Sequence, residues 1–214
     1  MSVRKLVRRL LVPAALAAAA SCYPGGPGTE GELDVVATLH AASHDYSVNK
    51  TYAMPDTVVD LAVAGGGSSS LSHTYDAKTL ADINASMQSL GYTRVDGTTT
   101  KGDVILLVGG ISVDHTDVWY PSYPWGGWWG WYYPYPCPGC VPIYPWVPVA
   151  TQYSTGTIVI TMIQPSAPHA SDQVPVVWAA TINGLLTGSD ASIQARIDYL
   201  IPQAFAQSPY LSVK

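Results

Sequence analysis

The segment Val104-Ile-Leu-Leu-Val108 is apolar at every position and is bounded by Asp103 and Gly109. A strand with one wet face alternates apolar and polar residues, so a continuous run predicts a central strand buried on both sides or nearly so. The segment Thr157-Ile-Val-Ile-Thr-Met-Ile163 is rich in β-branched residues and partly alternating. It predicts a second strand of the same sheet.

Three further segments have the composition of strands. Residues 174–182 are apolar and are interrupted by Pro175, and residues 33–41 and 50–54 are separated by a polar turn region. Strands of this kind pair most economically in one sheet. The sequence therefore predicts a mixed or antiparallel sheet of about five strands.

Two amphipathic helices complete the pattern. Asp76 can cap a helix that runs to about Leu90, and Gly91 supplies its stop. A second helix begins near Ser189, and Pro202 is expected to kink or end it. The apolar residues of each helix recur at a spacing that places them on one face. These residues are Leu80, Ile83, Met87 and Leu90 in the first helix, and Ile193, Ile197, Leu200 and Ile201 in the second, where Ala204 and Phe205 continue the face.

The order of the elements is two strands, a helix, three strands and a helix. Two helices are enough to cover one face of a sheet of this size, because each helix buries one apolar stripe. The sequence thus predicts an α+β fold, a two-layer sandwich with both helices on one face of the sheet. The predicted domain spans residues 33–210 and includes a long aromatic, Pro- and Gly-rich insertion at residues 118–149.

The start of the chain has the features of an export signal. Residues 1–9 are basic, and the apolar run from Leu10 to Ala20 is too short for a bilayer span, which needs about 20 residues. This pattern predicts a signal peptide over residues 1–21. Small residues directly before Cys22 resemble a lipobox, whose cysteine receives a diacylglyceryl group, although Ala19 stands where leucine is usual. An ordinary cleaved signal followed by a chance cysteine is the alternative.

Lipidation of Cys22 would anchor the chain in a lipid bilayer, because two or three acyl chains such as palmitate hold a protein durably. Residues 22–32 are too poor in apolar residues to pack, and they predict a flexible tether. Bacterial lipoproteins with aspartate after the lipidated cysteine tend to stay in the inner membrane. Tyr23 is not that signal, so the resemblance implies an outer-membrane lipoprotein facing the periplasm, if the cell has two membranes.

The charge balance argues against nucleic acid as a partner. The chain has a formal net charge of −5 with ten basic residues, and four of these, Arg4, Lys5, Arg8 and Arg9, lie in the predicted signal peptide. Ten minus four leaves six basic side chains against fifteen acidic ones. Because binding to a phosphate backbone needs a basic surface, we exclude nucleic acid.

The insertion at residues 118–149 contains six of the chain's seven tryptophans. Its prolines forbid helix and discourage ladder pairing, so no regular element is expected across it. Indole and phenol rings suit contact with an envelope protein, a glycan or membrane headgroups. Coverage of the protein's own sheet and disorder are the alternatives. The candidate contact residues are Trp119, Trp125, Trp128, Trp129, Trp131, Tyr132, Tyr133 and Trp146.

Cys137 and Cys140 are the thiols that remain once Cys22 is lipidated. They are expected to form a disulfide in the oxidising periplasm. A redox Cys-x-x-Cys site needs a helix start, and the surrounding prolines prevent one. A zinc site would need two more ligands, and no histidine lies between His115 and His169. We therefore predict neither a metal nor a cofactor.

The cluster Asp114, His115 and Asp117 combines a base with carboxylates after the central strand, and Asp103 precedes that strand. Such a set can perform acid–base chemistry, as in a periplasmic hydrolase or a metal-dependent enzyme. The simpler interpretation is that these residues form a turn that keeps the end of the strand hydrated.

His40, His44 and the adjacent Asp45 are the other group that a metal could use. On a helix the two histidines would share a face, but the surrounding residues favour a strand end, which separates their side chains. The preferred interpretation is that these three residues are solvated polar residues of a turn.

Four segments resemble DUF4136, a family of bacterial lipoproteins of unknown function. They are Lys50-Thr-Tyr-Ala53, Gly156-Thr-Ile-Val-Ile160, Val-Val-Trp178-Ala, and Ala204-Phe-Ala-Gln-Ser-Pro-Tyr210. The resemblance covers roughly residues 33–210 and implies a location and a fold, but no activity and no site residues. The leading hypothesis is therefore a non-catalytic, membrane-anchored envelope protein whose aromatic insertion contacts a partner. The hydrolase or metal-dependent enzyme is the alternative.

Overall fold

The computed structural model describes residues 36–61, 71–111, 115–118, 141–143, 150–153, 156–167 and 173–214, all within one compact unit of residues 34–214. For residues 115–118, 141–143 and 150–153 the description is limited to the backbone. The predicted signal peptide, residues 1–21, and the predicted tether, residues 22–32, lie outside the described residues.

The described residues form ten strands and two α-helices. The strands are β1 (Val36–His40), β2 (Thr51–Ala53), β3 (Val59–Asp60), β4 (Thr93–Arg94), β5 (Val104–Ile111), β6 (His115–Val118), β7 (Val141–Ile143), β8 (Ala150–Tyr153), β9 (Thr157–Ile163) and β10 (Gln173–Ile182). The helices are α1 (Asp76–Ser89) and α2 (Asp190–Ala206).

The main sheet has the order β1-β10-β9-β5-β2-β4, with β3 beside β5 and β7 beside β10. Strands β1, β10, β9 and β5 are antiparallel to their neighbours, whereas β5, β2 and β4 run parallel. The sheet is therefore mixed, as predicted. Every residue of β5 is buried, which confirms the prediction of a central strand at Val104–Val108.

The sheet has more strands than the five that the sequence predicts. The additional strands β3 and β4 are two residues long, and β7 is three residues long. Segments this short carry no detectable alternation, because one period of a strand already takes two residues. They form strands only because a longer neighbouring strand supplies partners for their backbone hydrogen bonds.

Helix α1 buries the predicted apolar face, with Leu80, Ile83 and Met87 in the core. The prediction that Asp76 caps this helix is wrong. A short 3₁₀ turn, His73–Tyr75, leads directly into the helix, and Asp76 is its first helical residue. Gly91 follows the helix with a φ of 101°, as expected for a glycine stop.

Helix α2 begins after Ser189, whose side chain accepts a hydrogen bond from the backbone N–H of Ser192, so the predicted start is confirmed. The helix does not end at Pro202 but continues to Ala206. Pro202 lies on the exposed side of the helix, where water can satisfy the carbonyl that lost its partner. Ala204 and Phe205 continue the buried face, as predicted.

The sheet has two buried apolar faces. The helix-covered face contains Val104, Leu106 and Val108 of β5 and packs against the apolar residues of both helices. The opposite face, called here the helix-free face, contains no helix residue. Its buried residues are Ala53, Val59, Leu61, Ile105, Leu107, Ile111, Val159, Ile163, Val174, Val176 and Ala179. Both helices lie on one face, so the predicted two-layer arrangement is confirmed.

Strands β6 and β8 form a two-stranded ribbon, paired antiparallel from His115↔Tyr153 to Val118↔Ala150. Between Ile111↔Thr157 in the main sheet and His115↔Tyr153 in the ribbon, both chains advance by the same number of residues. The ribbon therefore keeps the register of β5 and β9.

The prediction that no regular element forms within residues 118–149 is wrong at Val141–Ile143. This segment is β7, which pairs in parallel with Gln173–Pro175 of β10. Val141 and Ile143 are β-branched, and Pro142 is tolerated because a strand paired on one side needs only alternate N–H groups. In the part of the chain that the structure describes, no helix is long and apolar enough to cross a membrane.

Candidate functional site

A cleft of about 620 Å³ opens where the parallel strands β2 and β4 end. It is lined by residues 54–57, which follow β2, and by residues 94–98, which end β4 and turn away from it. Chains that leave the carboxyl ends of adjacent parallel strands diverge, and the gap between them is a common place for ligands. The cleft is therefore the first candidate site among the described residues.

Arg94 is the cation of this cleft. Its Nη2 donates to the Met54 carbonyl oxygen at 2.9 Å and to Asp56 Oδ1 at 2.5 Å. The Asp56 side chain is 92% exposed, so this ion pair stabilises the fold by well under about 1 kcal/mol. The bond to the Met54 carbonyl is internal and holds β4 against the chain that follows β2. Arg94 thus fixes the wall of the cleft, and Nη2 of its guanidinium group is occupied by these two partners.

Asp96 forms a turn at the rim of the cleft. Its Oδ1 accepts hydrogen bonds from Thr98 N at 2.9 Å and Thr98 Oγ1 at 2.7 Å. The bond from the Thr98 hydroxyl, with that from the Thr98 backbone, lowers the pKa of Asp96. Its carboxylate is therefore ionised and occupied by the turn. Asp56 is paired with Arg94, so neither carboxylate of the cleft is free to transfer a proton.

His73 lies between two carboxylates on the other side of the β2–β3 connection. Its Nδ1 is 2.9 Å from Asp76 Oδ2, and its Nε2 is 3.9 Å from Asp60 Oδ1. Asp76 Oδ2 also accepts the backbone N–H of Val58 at 2.9 Å and the hydroxyl of Thr57 at 3.2 Å. Asp76 therefore ties the start of α1 to the chain before β3. This explains why Asp76 is turned away from the helix cap that the sequence predicts.

We expect the rings of His73 and His44 to titrate on opposite sides of the ordinary histidine pKa. The hydrogen bond to Asp76 raises the pKa of His73, and the charges of Asp76 and Asp60 add to this. Partial burial lowers the pKa of His44, against the opposing charge of Asp45. An NMR titration of the ring protons measures both values.

The Asp76→Asn variant is the control for that titration, because it should lower the pKa of His73 and leave that of His44 unchanged. Since the pKa of His73 is raised in the folded state, its contribution to stability is complete in acid and is lost as the pH rises through the folded pKa. Coincident midpoints for the two rings in the unaltered chain would contradict the assignment.

His40, His44 and Asp45 do not converge on a metal site. His40 stacks on Tyr210 with ring centroids 4.0 Å apart, and His44 Nε2 is 3.2 Å from Asn49 Nδ2. Asp45 caps the turn that follows it, accepting from Ser47 N at 3.0 Å. Within the described ranges, no group of three or more His, Cys, Asp or Glu side chains is placed to hold a metal ion.

Asp103 directly precedes β5 (Val104–Ile111) in the chain, whereas His115 begins β6 after it. Asp103 Oδ2 accepts the backbone N–H groups of Lys50 and Thr51 at 2.8 Å and the Thr51 hydroxyl at 2.8 Å. Burial raises the pKa of this carboxyl, but the hydrogen bonds outweigh it and the pKa is lowered. Asp103 therefore fixes β2 beside β5.

Of the other predicted site residues, His115 and Asp117 belong to β6, where the description is limited to the backbone. Asp114 lies outside the described residues, as do Cys22, Cys137 and Cys140. The same holds for the eight predicted contact residues, Trp119, Trp125, Trp128, Trp129, Trp131, Tyr132, Tyr133 and Trp146. Nothing among the described residues supports the hydrolase or metal-enzyme alternative.

The segments that carry the family resemblance build the core. Trp178 is fully buried, and its Nε1 donates to Ser208 Oγ at 2.9 Å. The Tyr210 hydroxyl is 3.1 Å from the same oxygen, which in turn donates to the Ala204 carbonyl oxygen at 3.2 Å. Tyr52 donates through its hydroxyl to Asn84 Oδ1 at 2.5 Å, which joins β2 to α1.

Sequence reasoning missed this buried network around Ser208, because a serine before a proline also occurs in any turn. The cleft at Arg94 was missed as well. Its charged partners Asp56 and Arg94 are far apart in the sequence, and neither lies in a recognisable motif. The Asp96-Gly97 pair is a turn signal, but a turn alone does not predict a cleft.

Residues 36–210 match the DUF4136 family, a domain of unknown function. A crystal structure of a DUF4136 family protein from Bacteroides thetaiotaomicron VPI-5482 has a similar fold, with a TM-score of 0.62 and 22% sequence identity over 85% of this chain and 98% of that chain. No curated protein matches the chain.

Two more distant structures also align with this chain. A dodecamer of a PelC variant from Paraburkholderia phytofirmans has a TM-score of 0.37 and 12% identity, over 84% of this chain and 98% of that chain. A PDZ domain protein from Parabacteroides distasonis ATCC 8503 has a TM-score of 0.37 and 15% identity, over 83% of this chain and 36% of that chain. Similarity this low carries no argument about function.

Proposed function

We propose that this chain, which belongs to the DUF4136 family, is a membrane-anchored lipoprotein of the cell envelope with a binding rather than a catalytic role. The observation that carries the proposal is the short apolar run from Leu10 to Ala20, followed at once by Ser21 and Cys22. That run is too short to span a bilayer and has the length of a signal peptide's apolar region.

The anchor would be a diacylglyceryl group on Cys22, with a further acyl chain after cleavage. Two or three acyl chains give durable attachment, whereas one gives only marginal attachment. Residues 22–32 would then separate the domain from the bilayer, because their prolines and glycines cannot form a packed element. Tyr23 after the lipidated cysteine favours the outer membrane and a domain that faces the periplasm.

The binding role is favoured by how the described polar residues are used. Asp76, Asp96 and Asp103 each accept hydrogen bonds from neighbouring backbone N–H groups, so they hold the fold together. A general acid or base must instead be free to reach the proton that it transfers. The aromatic insertion, residues 118–149, is the proposed contact surface, and an envelope protein or a glycan is the proposed partner.

Mass spectrometry of the protein purified from membranes of its own cell tests the proposal. We expect a mature chain that begins at Cys22 and carries the mass of a diacylglyceryl group and one further acyl chain. A mature chain that begins at another residue, or that carries no acyl mass, contradicts the proposal.

The matched controls are serine substitutions at the three cysteines. The Cys22→Ser variant should lose the acyl mass and leave the membrane fraction or retain its signal peptide. The Cys137→Ser and Cys140→Ser variants should keep the acyl mass, because their thiols lie far from the processing site in the sequence.

A further inference from the structure

Arg94, the cation of the cleft at the ends of β2 and β4, has hydrogen-bond donors to spare. A guanidinium group donates through Nε, Nη1 and Nη2, and both partners of Arg94, the Met54 carbonyl oxygen and Asp56 Oδ1, lie at Nη2. Nε and Nη1 make no hydrogen bond among the described residues, and neither is a buried atom without a partner. Their N–H groups are therefore hydrated and open to a ligand.

Asp56 is paired with Arg94 in a way that another carboxylate can replace. Among the described residues only its Oδ1 contacts the guanidinium group, although a guanidinium group can bind both oxygens of a carboxylate. The Asp56 side chain is 92% exposed, so it can turn into water at little cost. The Met54 carbonyl oxygen would still hold Arg94 in place.

The other lining residues determine the size and character of the ligand. A volume of about 620 Å³ is far larger than one carboxylate group and lies within the usual range for small-molecule sites. Met54, Pro55 and Val95 line the cleft together with Arg94. Their apolar side chains favour a ligand whose charged group is attached to a hydrocarbon body, because burial removes that body from water.

The charges of the cleft favour a carboxylate over a phosphate. Arg94 is accompanied by two carboxylates, Asp56 and Asp96, and the lining residues include no second cation. A dianionic phosphate would be repelled by both carboxylates with one cation to balance them. A monoanionic carboxylate is repelled less, and its two oxygens match the planar fork of the guanidinium group.

We propose that this cleft binds a monocarboxylate with a short hydrocarbon body, and that the ligand's carboxylate displaces Asp56 from Arg94. Asp56 is then a competitor within the chain, which pairs with the guanidinium group until a ligand arrives. The site depends neither on lipidation at Cys22 nor on the aromatic insertion, so the failure of one proposal leaves the other standing.

The first test compares hexanoate, hexylamine and hexanol, which share one hydrocarbon chain and differ in charge. Each is titrated at neutral pH into the isotope-labelled full chain, and the backbone N–H signals of residues 94–98 are followed by NMR. We expect hexanoate to shift these signals to saturation and the other two compounds to bind at least about tenfold more weakly. Tighter binding of hexylamine, or no saturable shift with hexanoate, overturns the proposal.

The Asp56→Asn variant tests the displacement itself. It removes the competing carboxylate and should tighten hexanoate binding about two- to fivefold, the range expected for loss of an exposed ion pair. Asp96→Asn is the matched control, because it removes the same charge from the same cleft while asparagine can still accept the N–H of Thr98. It should tighten binding by a smaller factor. Equal tightening in the two variants shows that Asp56 does not compete for Arg94, and overturns the proposal.

Substitutions of Arg94 test the cation. Arg94→Gln should weaken hexanoate binding at least about tenfold, and Arg94→Lys should weaken it by a smaller factor, because lysine keeps the charge but lacks the planar fork. Unchanged binding in both variants overturns the proposal. If Arg94→Gln does not fold, the gain expected for Asp56→Asn decides, since that variant keeps the bond from Arg94 to the Met54 carbonyl oxygen.

Discussion

Replacing Trp178 with alanine is expected to lower the free energy of unfolding by about 3–5 kcal/mol, the usual range for a fully buried tryptophan. Trp178 is the largest fully buried side chain among the described residues, and its ring lies 5.2 Å from that of Phe205 in α2. The substitution leaves a cavity between β10 and α2 and removes the donor to Ser208 Oγ. Urea denaturation followed by circular dichroism measures the loss.

Two comparisons make this prediction specific. Tyr199 lies on α2 with 68% of its surface exposed, so Tyr199→Ala should change the free energy of unfolding by less than about 0.5 kcal/mol. Trp178→Phe keeps a ring beside Phe205 but removes the indole N–H, and should cost about 1–3 kcal/mol. A loss of less than about 1 kcal/mol in the free energy of unfolding for Trp178→Ala would show that Trp178 is not the main packing contact between β10 and α2.

The long elements could be predicted because each contains several periods of its own pattern. Strand β9 has the predicted bounds Thr157–Ile163, and β5 extends the predicted segment only to Ile111. Helix α1 differs from its prediction by one residue at each end, since it includes Asp76 and ends at Ser89. In each case the local pattern and the tertiary burial agree, so the sequence alone is sufficient.

The short strands and the roles of polar residues could not be predicted, because they depend on contacts between distant segments. Asp76 fits a helix cap in the sequence, yet its carboxylate accepts the N–H of Val58, which is distant in the chain. Asp103 fits a catalytic cluster, yet it binds the backbone of Thr51. A carboxylate accepts hydrogen bonds from whichever donors the fold brings near it, and those donors come together only when the sheet assembles.

The segments that resemble DUF4136 contain residues that pack the core. Trp178, Ser208 and Tyr210 meet in one hydrogen-bonded network, and Lys50 donates through its Nζ to the Val213 carbonyl oxygen at 2.8 Å. These residues join the sheet to the end of the chain, and none of them lines the cleft at Arg94. Family membership therefore predicts the fold of this domain strongly and its ligand weakly.

Gly156 is expected to be the glycine least tolerant of substitution, and Gly156→Ala should cost about 2–5 kcal/mol, from left-handed backbone strain and backbone overlap together. Its φ is 81°, and a Cβ atom there would lie 2.9 Å from the backbone carbon of Leu186. Its N–H donates to the Ile111 carbonyl oxygen at 2.7 Å, and its own carbonyl accepts from Leu186 N at 2.9 Å. The residue therefore joins β9, the end of β5 and the turn after β10.

Gly188→Ala separates the two causes of that loss. Gly188 also has a positive φ, 102°, but it is exposed, and the one close contact of its Cβ would be the hydroxyl oxygen of Ser192 at 2.8 Å, which can rotate away. This variant should cost about 1–2 kcal/mol, the backbone strain alone. Thermal and urea unfolding of both variants measure the difference. If the two variants lose the same free energy of unfolding, a small backbone shift relieves the overlap between Leu186 and the new Cβ at position 156. The contact between Gly156 and Leu186 would then be looser than the structure indicates.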